Sequence, residues 1–120
     1  MCNAFLIEAQ WFASGHLPKA KDYLKNVTVS TGVHLDFVHI FFLLGEGITK
    51  EAVDALDQIP GITSSTETIL GLYDDMGNAQ DENQAGHVGS YVECFMQENQ
   101  GSSVEEAQAH VTQLATRWFL

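Results

Sequence analysis

The segment "LYDDMGNAQDE", residues 72–82, carries three oxygen-bearing side chains at four-residue spacing: Asp74, Asn78 and Glu82. An α-helix turns about 100° per residue, so this spacing places all three on one face. Carboxylate and amide oxygens suit a hard cation such as Mg²⁺, which usually keeps waters and binds phosphate oxygens. The pattern therefore predicts a metal site with room for a diphosphate, and a solvated acidic helix end is the competing interpretation.

A calcium-binding loop is a second metal alternative in the same region. Asp81, Asn83 and Gly86 lie at the offsets of an EF-hand loop. Ala85 occupies a ligand position and Glu93 falls one residue late, so the match is poor. No other catalytic constellation is indicated, because the 5 histidines show no HExxH spacing and sequence order predicts no Ser-His-Asp set.

Composition narrows the classes of function. The 120 residues indicate one domain, 1–120, with 5 Lys+Arg against 16 Asp+Glu and a net charge of −11. Binding to nucleic acid or to an anionic membrane surface is disfavoured, because both need basic groups. No apolar run reaches the roughly 18 residues of a membrane span. Cys2 and Cys94 match no zinc or redox spacing, which predicts free thiols and a reducing, cytoplasmic compartment.

The elements that position these residues are predicted to be helices, and we expect an all-α fold. No strand pattern with hairpin turns is present. Gly15 and Pro18 separate a first helix, residues 4–14, from the next. Residues 28–44 predict one long helix, weakened or kinked at Gly32.

Capping residues mark several later boundaries. Thr49 is the predicted N-cap of "KEAVDALDQI", which Pro60 is expected to end. The acidic helix is expected to begin near residues 63–65. Ser103 and Glu106 form the pattern of a capping box at the start of the last helix.

Residues 37–44, "FVHIFFLL", are apolar on nearly every side. A helix of this kind is normally covered by several neighbours. Because a chain of 120 residues offers few such neighbours, the segment predicts partners outside this sequence.

Several segments resemble plant class I terpene synthases in the same order and spacing. They are "FLIEAQWFASGHLPKAKDYLKN", "STGVH", "FFLLGEGITKEAV", "SSTETIL", "LYDDMGNAQDE" and "DENQAGHVGSYVECFMQENQGSSVEEA". The acidic segment resembles the second metal motif of that family: Asn or Asp, then Asp, two residues, Ser or Thr, three residues and Glu. The chain looks most like members that make acyclic alcohols such as linalool and nerolidol. The resemblance implies part of the class I terpenoid synthase helical bundle.

The resemblance also implies roles for individual residues. Three residues fall on the metal-ligand positions: Asp74, Asn78 and Glu82. The implied ion is Mg²⁺, with Mn²⁺ as the alternative. Asp75 is the second acid of the motif and lies beside the substrate site without coordinating the ion. Thr31 and Gly32, next to Ser30, fall at the helix break that lines the family's substrate pocket.

The implied chemistry is the ionisation of a prenyl diphosphate, geranyl or farnesyl, to a mono- or sesquiterpene. The metal ions act as Lewis acids on the leaving diphosphate, and an apolar helical cavity shapes the carbocation. For a full-length member, a plastid location is the alternative to the cytoplasm.

Three departures from the family pattern bear on activity. Asn78 stands where Ser or Thr is usual, Gly71 stands where many members have a diphosphate-binding arginine, and the family's "DDxxD" motif is absent from the chain. We therefore expect a fragment of the catalytic domain with little or no turnover alone. The alternative function is a catalytically inactive, truncated helical protein that binds only Mg²⁺ or partners.

Overall fold

The computed structural model of the chain describes residues 1–45, 47–57, 60–85 and 89–119. Within these ranges the backbone forms seven α-helices and no β-strand, which confirms the all-α prediction. The helices are α1 (Cys2–Ser14), α2 (Ala20–Ser30), α3 (Val33–Leu43), α4 (Lys50–Asp57), α5 (Pro60–Ala85), α6 (Tyr91–Glu98) and α7 (Val104–Phe119). No helix in the described ranges has the length and apolar character needed to cross a bilayer.

The prediction of one long helix over residues 28–44 is wrong, because this segment forms parts of two separate helices, α2 and α3. The α2 helix ends at Ser30, and α3 begins at Val33. Between them Gly32 adopts a left-handed conformation with φ of 73°. Glycine reaches this region without a steric penalty, so it permits a change of helix direction where other residues would resist it.

The α5 helix begins at Pro60, earlier than the predicted start near residues 63–65, and continues to Ala85. Proline is favourable in the first turn of a helix, where its missing N–H leaves no intrahelical bond unmade. Since the backbone is still helical from Asp81 to Ala85, an EF-hand loop starting at Asp81 is excluded.

The predicted caps are present, and one further capping box joins them. Thr49 Oγ1 accepts a hydrogen bond in the first turn of α4 at 3.1 Å. Ser103 and Glu106 exchange hydrogen bonds of 3.0 and 3.1 Å at the start of α7. Ser90 and Glu93 form a second reciprocal box at the start of α6. These local bonds satisfy backbone donors that the helices leave free.

The core lies where α2, α5, α6 and α7 meet. Its buried residues are Ala20, Tyr23, Val27, Leu72, Tyr91, Val92, Cys94, Ala107, Val111 and Ala115. Residues 107, 111 and 115 recur at four-residue spacing along one face of α7. Because this stripe is made of small side chains, α7 can pack closely against its neighbours.

The α3 helix lies at the margin of this core. Val33 is buried, but Ile40, Phe42 and Leu43 are exposed. The described part of the chain therefore leaves much of the apolar segment 37–44 uncovered. That partners outside this sequence cover it stays a prediction.

Gly71 brings α5 close to α2. It is buried, and a Cβ atom built on it would overlap Cγ1 of Val27. An arginine, as the resemblance would place at this position, has no room unless Val27 moves. Close helix contact therefore gives a physical reason for the glycine.

We expect Gly71→Ala to destabilise the protein by about 1–3 kcal/mol through overpacking against Val27. Helix propensity alone predicts the opposite effect, a gain in stability of about 0.5–1 kcal/mol, because alanine is a better helix former than glycine. The matched control is Gly77→Ala on the same helix, where an added Cβ meets nothing within 4 Å and should stabilise. Urea unfolding followed by circular dichroism gives both free energies, and a stabilised Gly71→Ala would contradict the close contact.

The two cysteines are free, as predicted, and should differ sharply in reactivity. Burial, helped by the charges of Asp75 and Glu93, raises the pKa of the Cys94 thiol to about 12, whereas Cys2 is exposed. Since the thiolate is the reactive form, the exposed Cys2 should react quickly with Ellman's reagent at mildly alkaline pH. Cys94 should react only when the protein unfolds. Cys2→Ser should remove the fast phase, and two fast thiols would disprove the burial of Cys94.

Candidate metal and substrate site

A groove of about 520 Å³ lies between α1, α2 and α5. This volume falls within the range of small-molecule sites. Its aromatic and polar lining residues are Phe5, Glu8, Trp11, Phe12, His16, Tyr23, Ser30, Thr31, Asp74 and Asp75. The groove thus combines an aromatic wall from α1 with hydroxyl groups from α2 and carboxylates from α5.

The predicted metal ligands lie on one continuous helix. Asp74 is exposed and lines the groove. Asn78 and Glu82 follow on α5, but their side chains lie outside the described residues. Among the side chains that are described, no group of three or more His, Cys, Asp or Glu residues could hold a metal ion. The three-residue ligand set stays a prediction.

The predicted substrate-binding residues occupy different positions around the helix break. Thr31 lines the groove, together with Ser30. Gly32 caps the next helix, and a Cβ there would lie 3.5 Å from the Met1 side chain. Gly32 therefore shapes the break, and contact between substrate and either residue stays a prediction.

Asp75 is buried and bonded to two other helices. Its Oδ1 accepts a hydrogen bond from the Tyr23 hydroxyl of α2 at 3.0 Å. Its Oδ2 accepts the backbone N–H of Tyr91, the first residue of α6, at 2.9 Å. A carboxylate at the start of a helix also interacts favourably with the helix dipole. Asp75 therefore fastens α2, α5 and α6 together at the edge of the groove.

Tyr23 connects this bond to the aromatic wall. Its ring lies 6.2 Å from that of Trp11, with the planes tilted by 31°. Burial, followed by the negative charge of Asp75, raises the pKa of Tyr23 far above its ordinary value of 10.0. The phenol therefore remains protonated at physiological pH and donates to the carboxylate.

Glu8 and Tyr23 are groove residues that the sequence did not single out. Glu8 Oε1 accepts hydrogen bonds from Ser30 Oγ at 2.7 Å and from Asn26 Nδ2 at 3.0 Å. These partners lie 22 and 18 residues away along the chain, so no local pattern predicts the contacts. The bonds hold the Glu8 carboxylate against the end of α2.

The electrostatics of the groove are one-sided. Glu8, Asp74 and Asp75 line it, whereas none of the chain's lysine or arginine residues does: Lys19, Lys21, Lys25, Lys50 and Arg117 all lie elsewhere. A diphosphate placed here would meet carboxylates without a compensating ammonium or guanidinium group from the described lining. A bound cation would reverse this repulsion.

Residues 1–118 match the family described as "Terpene synthase family, metal binding domain". The chain is 55% identical over 117 residues to the S-(+)-linalool synthase, chloroplastic, of Arabidopsis thaliana, covering 98% of this chain and 21% of that protein. It is 57% identical over 109 residues to an (E)-nerolidol synthase of Cannabis sativa, covering 90% of this chain and 20% of that protein.

The fold is similar to the crystal structure of isoprene synthase from grey poplar leaves in complex with three Mg²⁺ ions and dimethylallyl-S-thiolodiphosphate. The TM-score is 0.84 at 30% identity, covering 98% of this chain and 22% of that chain. The chain spans about a fifth of the length of the curated relatives it matches. With its helical fold, and with Asp74 and Asp75 of the acidic motif at the groove, the chain belongs to the terpene synthase family, in the part that forms the metal-binding domain.

Proposed function

We propose that this chain forms one metal-binding wall of a terpene synthase that ionises a prenyl diphosphate with the help of Mg²⁺. The observation that carries the proposal is the exposed Asp74 on α5, at an aromatic groove lined by carboxylates and by none of the chain's lysine or arginine residues. The isoprene synthase complex, with its Mg²⁺ ions and diphosphate analogue, supports this reading of the groove.

The donor chemistry of α5 fits Mg²⁺. Asp74, Asn78 and Glu82 supply carboxylate and amide oxygens, the ligand types that this ion prefers. These three residues would hold the ion, and Mn²⁺ is the alternative for the same oxygens. When bound, the ion supplies Lewis-acid stabilisation of negative charge on the leaving diphosphate.

The rest of the groove would bind the hydrocarbon part of the substrate. Phe5, Trp11 and Phe12 offer aromatic surface, which excludes water and attracts a cation at the ring face. Thr31 and Ser30 add hydroxyl groups to the lining. The groove can therefore orient an apolar chain with its charged end toward α5.

The names of similar relatives support a finer assignment. Linalool and nerolidol synthases are among them, which favours geranyl or farnesyl diphosphate as the substrate. Three relatives are described as chloroplastic, which supports the plastid alternative for a full-length parent. A cytoplasmic location stays a prediction from the sequence.

The absence of a "DDxxD" motif favours the second candidate function, a chain that binds Mg²⁺ without turnover. Diphosphate release from geranyl or farnesyl diphosphate in MgCl₂ separates the two. For this chain alone we expect no release above that of the Asp74→Ala variant. Release that disappears in Asp74→Ala would instead show that 120 residues suffice for ionisation.

Asp74→Asn should weaken Mg²⁺ binding at least about tenfold, because it replaces a charged ligand by a neutral one. Glu82→Gln should have a similar effect. The matched control is Asp36→Asn, which removes the same charge from an exposed position on α3. Calorimetric titration with MgCl₂, alone and with inorganic pyrophosphate, measures the affinity. If Asp74→Asn and Glu82→Gln bind Mg²⁺ as tightly as the unmodified protein, the ligand assignment is wrong.

A further inference from the structure

We propose that Tyr23 and Asp75 are positioning residues for the metal site: their hydrogen bond sets the rotation of α5 that turns Asp74 into the groove. The inference rests on the proposed function, because it requires Asp74 to be a metal ligand. In this proposal Asp75 positions the helix, whereas the adjacent Asp74 binds the metal ion.

The contacts between α2 and α5 follow an antiparallel register. Tyr23 pairs with Asp75 through the 3.0 Å hydrogen bond, and Val27 packs directly on Gly71. The two contacts are one helical turn apart on each helix, and they follow opposite sequence directions along the two helices. Together they fix both the sliding and the rotation of α5 against α2.

The amino end of α6 holds Asp75 from a second direction. The Tyr91 N–H donates to Oδ2, while the Ser90–Glu93 capping box fixes the same helix end. Glu93 Oε2 also accepts the N–H groups of Gly89 and Ser90, at 2.7 and 3.1 Å. Because this helix end is held by its own bonds, it provides a fixed support for the Asp75 carboxylate.

The rotation of α5 matters because adjacent helical residues point about 100° apart. While Asp75 faces α2 and α6, Asp74 is exposed at the groove. A carboxylate about 5–6 Å from the helix axis moves by roughly 2 Å when the helix rolls by about 20°. Metal–ligand distances tolerate only about 0.2 Å. A small roll of α5 would therefore displace Asp74 from a productive position.

Tyr23→Phe tests the proposal, because it removes one hydroxyl group and keeps the buried ring. We expect the Mg²⁺ affinity to fall about three- to tenfold. Removing a residue that is hydrogen-bonded directly to a metal ligand typically lowers the affinity about 10- to 100-fold, so the expected loss lies at or below the lower end of that range. Tyr91→Phe is the matched control: its hydroxyl lies 3.4 Å from His110 Nε2, and the backbone N–H bonded to Asp75 is retained. Its Mg²⁺ affinity should equal that of the unmodified protein.

Two comparisons separate positioning from lost stability. Val111→Ala destabilises the core at α7, away from the groove, and should leave Mg²⁺ affinity unchanged when measured well below its melting temperature. In an Asp74→Asn background, Tyr23→Phe should cause no further loss of affinity, because its effect acts through Asp74. Equal affinity of Tyr23→Phe and the unmodified protein overturns the proposal, and so does a loss that persists undiminished in the Asp74→Asn background.

A spectroscopic measurement needs no variant. In protein labelled at the tyrosine ring carbons that bear the hydroxyl, MgCl₂ should shift the NMR signal of Tyr23 but leave that of Tyr91 in place. If Mg²⁺ binds through Asp74 but the Tyr23 signal does not shift, the positioning role of Tyr23 is refuted while the ligand assignment stands. If instead the Asp74→Asn variant binds Mg²⁺ as tightly as the unmodified protein, the ligand assignment itself is wrong. The two failures are therefore distinguishable.

Discussion

The antiparallel contact between α2 and α5 is the constraint on which both the core and the groove depend. It combines a directional bond, from the Tyr23 hydroxyl to Asp75, with the packing of Val27 on the backbone at Gly71. A hydrogen bond to a charged group contributes about 1.5–3 kcal/mol, and a buried carboxylate left without it would be strongly destabilising. The same contact forms one wall of the groove, so stability and site geometry have a common origin.

Two adjacent acids, Asp74 and Asp75, have opposite environments because they lie on different faces of one helix. Asp74 is exposed at the groove, where a carboxylate remains hydrated and open to a cation. Asp75 is buried, where a carboxylate is tolerated only with hydrogen-bond donors, here from Tyr23 and the start of α6. The acidic pair therefore combines a buried carboxylate that joins three helices with an exposed carboxylate that we propose as a metal ligand.

The groove explains why the proposed chemistry depends on a cation. Its described lining is aromatic and acidic and includes no lysine or arginine, and Gly71 stands where the family resemblance implies an arginine. The glycine that tightens the α2–α5 contact thus also leaves the groove without a guanidinium group. Within the described lining, attraction for the proposed diphosphate would then depend on a bound metal ion.

The sequence by itself determined the helical class, the caps at Thr49 and Ser103, and the spacing of the acidic motif on one helix, because these depend on residues a few positions apart. The family resemblance, which local motifs carried, was confirmed as well. Although the family resemblance implied a helix break at Gly32, the tertiary structure decided that two separate helices meet there, since glycine permits both a kinked helix and a complete turn between two helices. It alone paired Asp75 with Tyr23, 52 residues away, because no local pattern records which distant donor a buried carboxylate will meet.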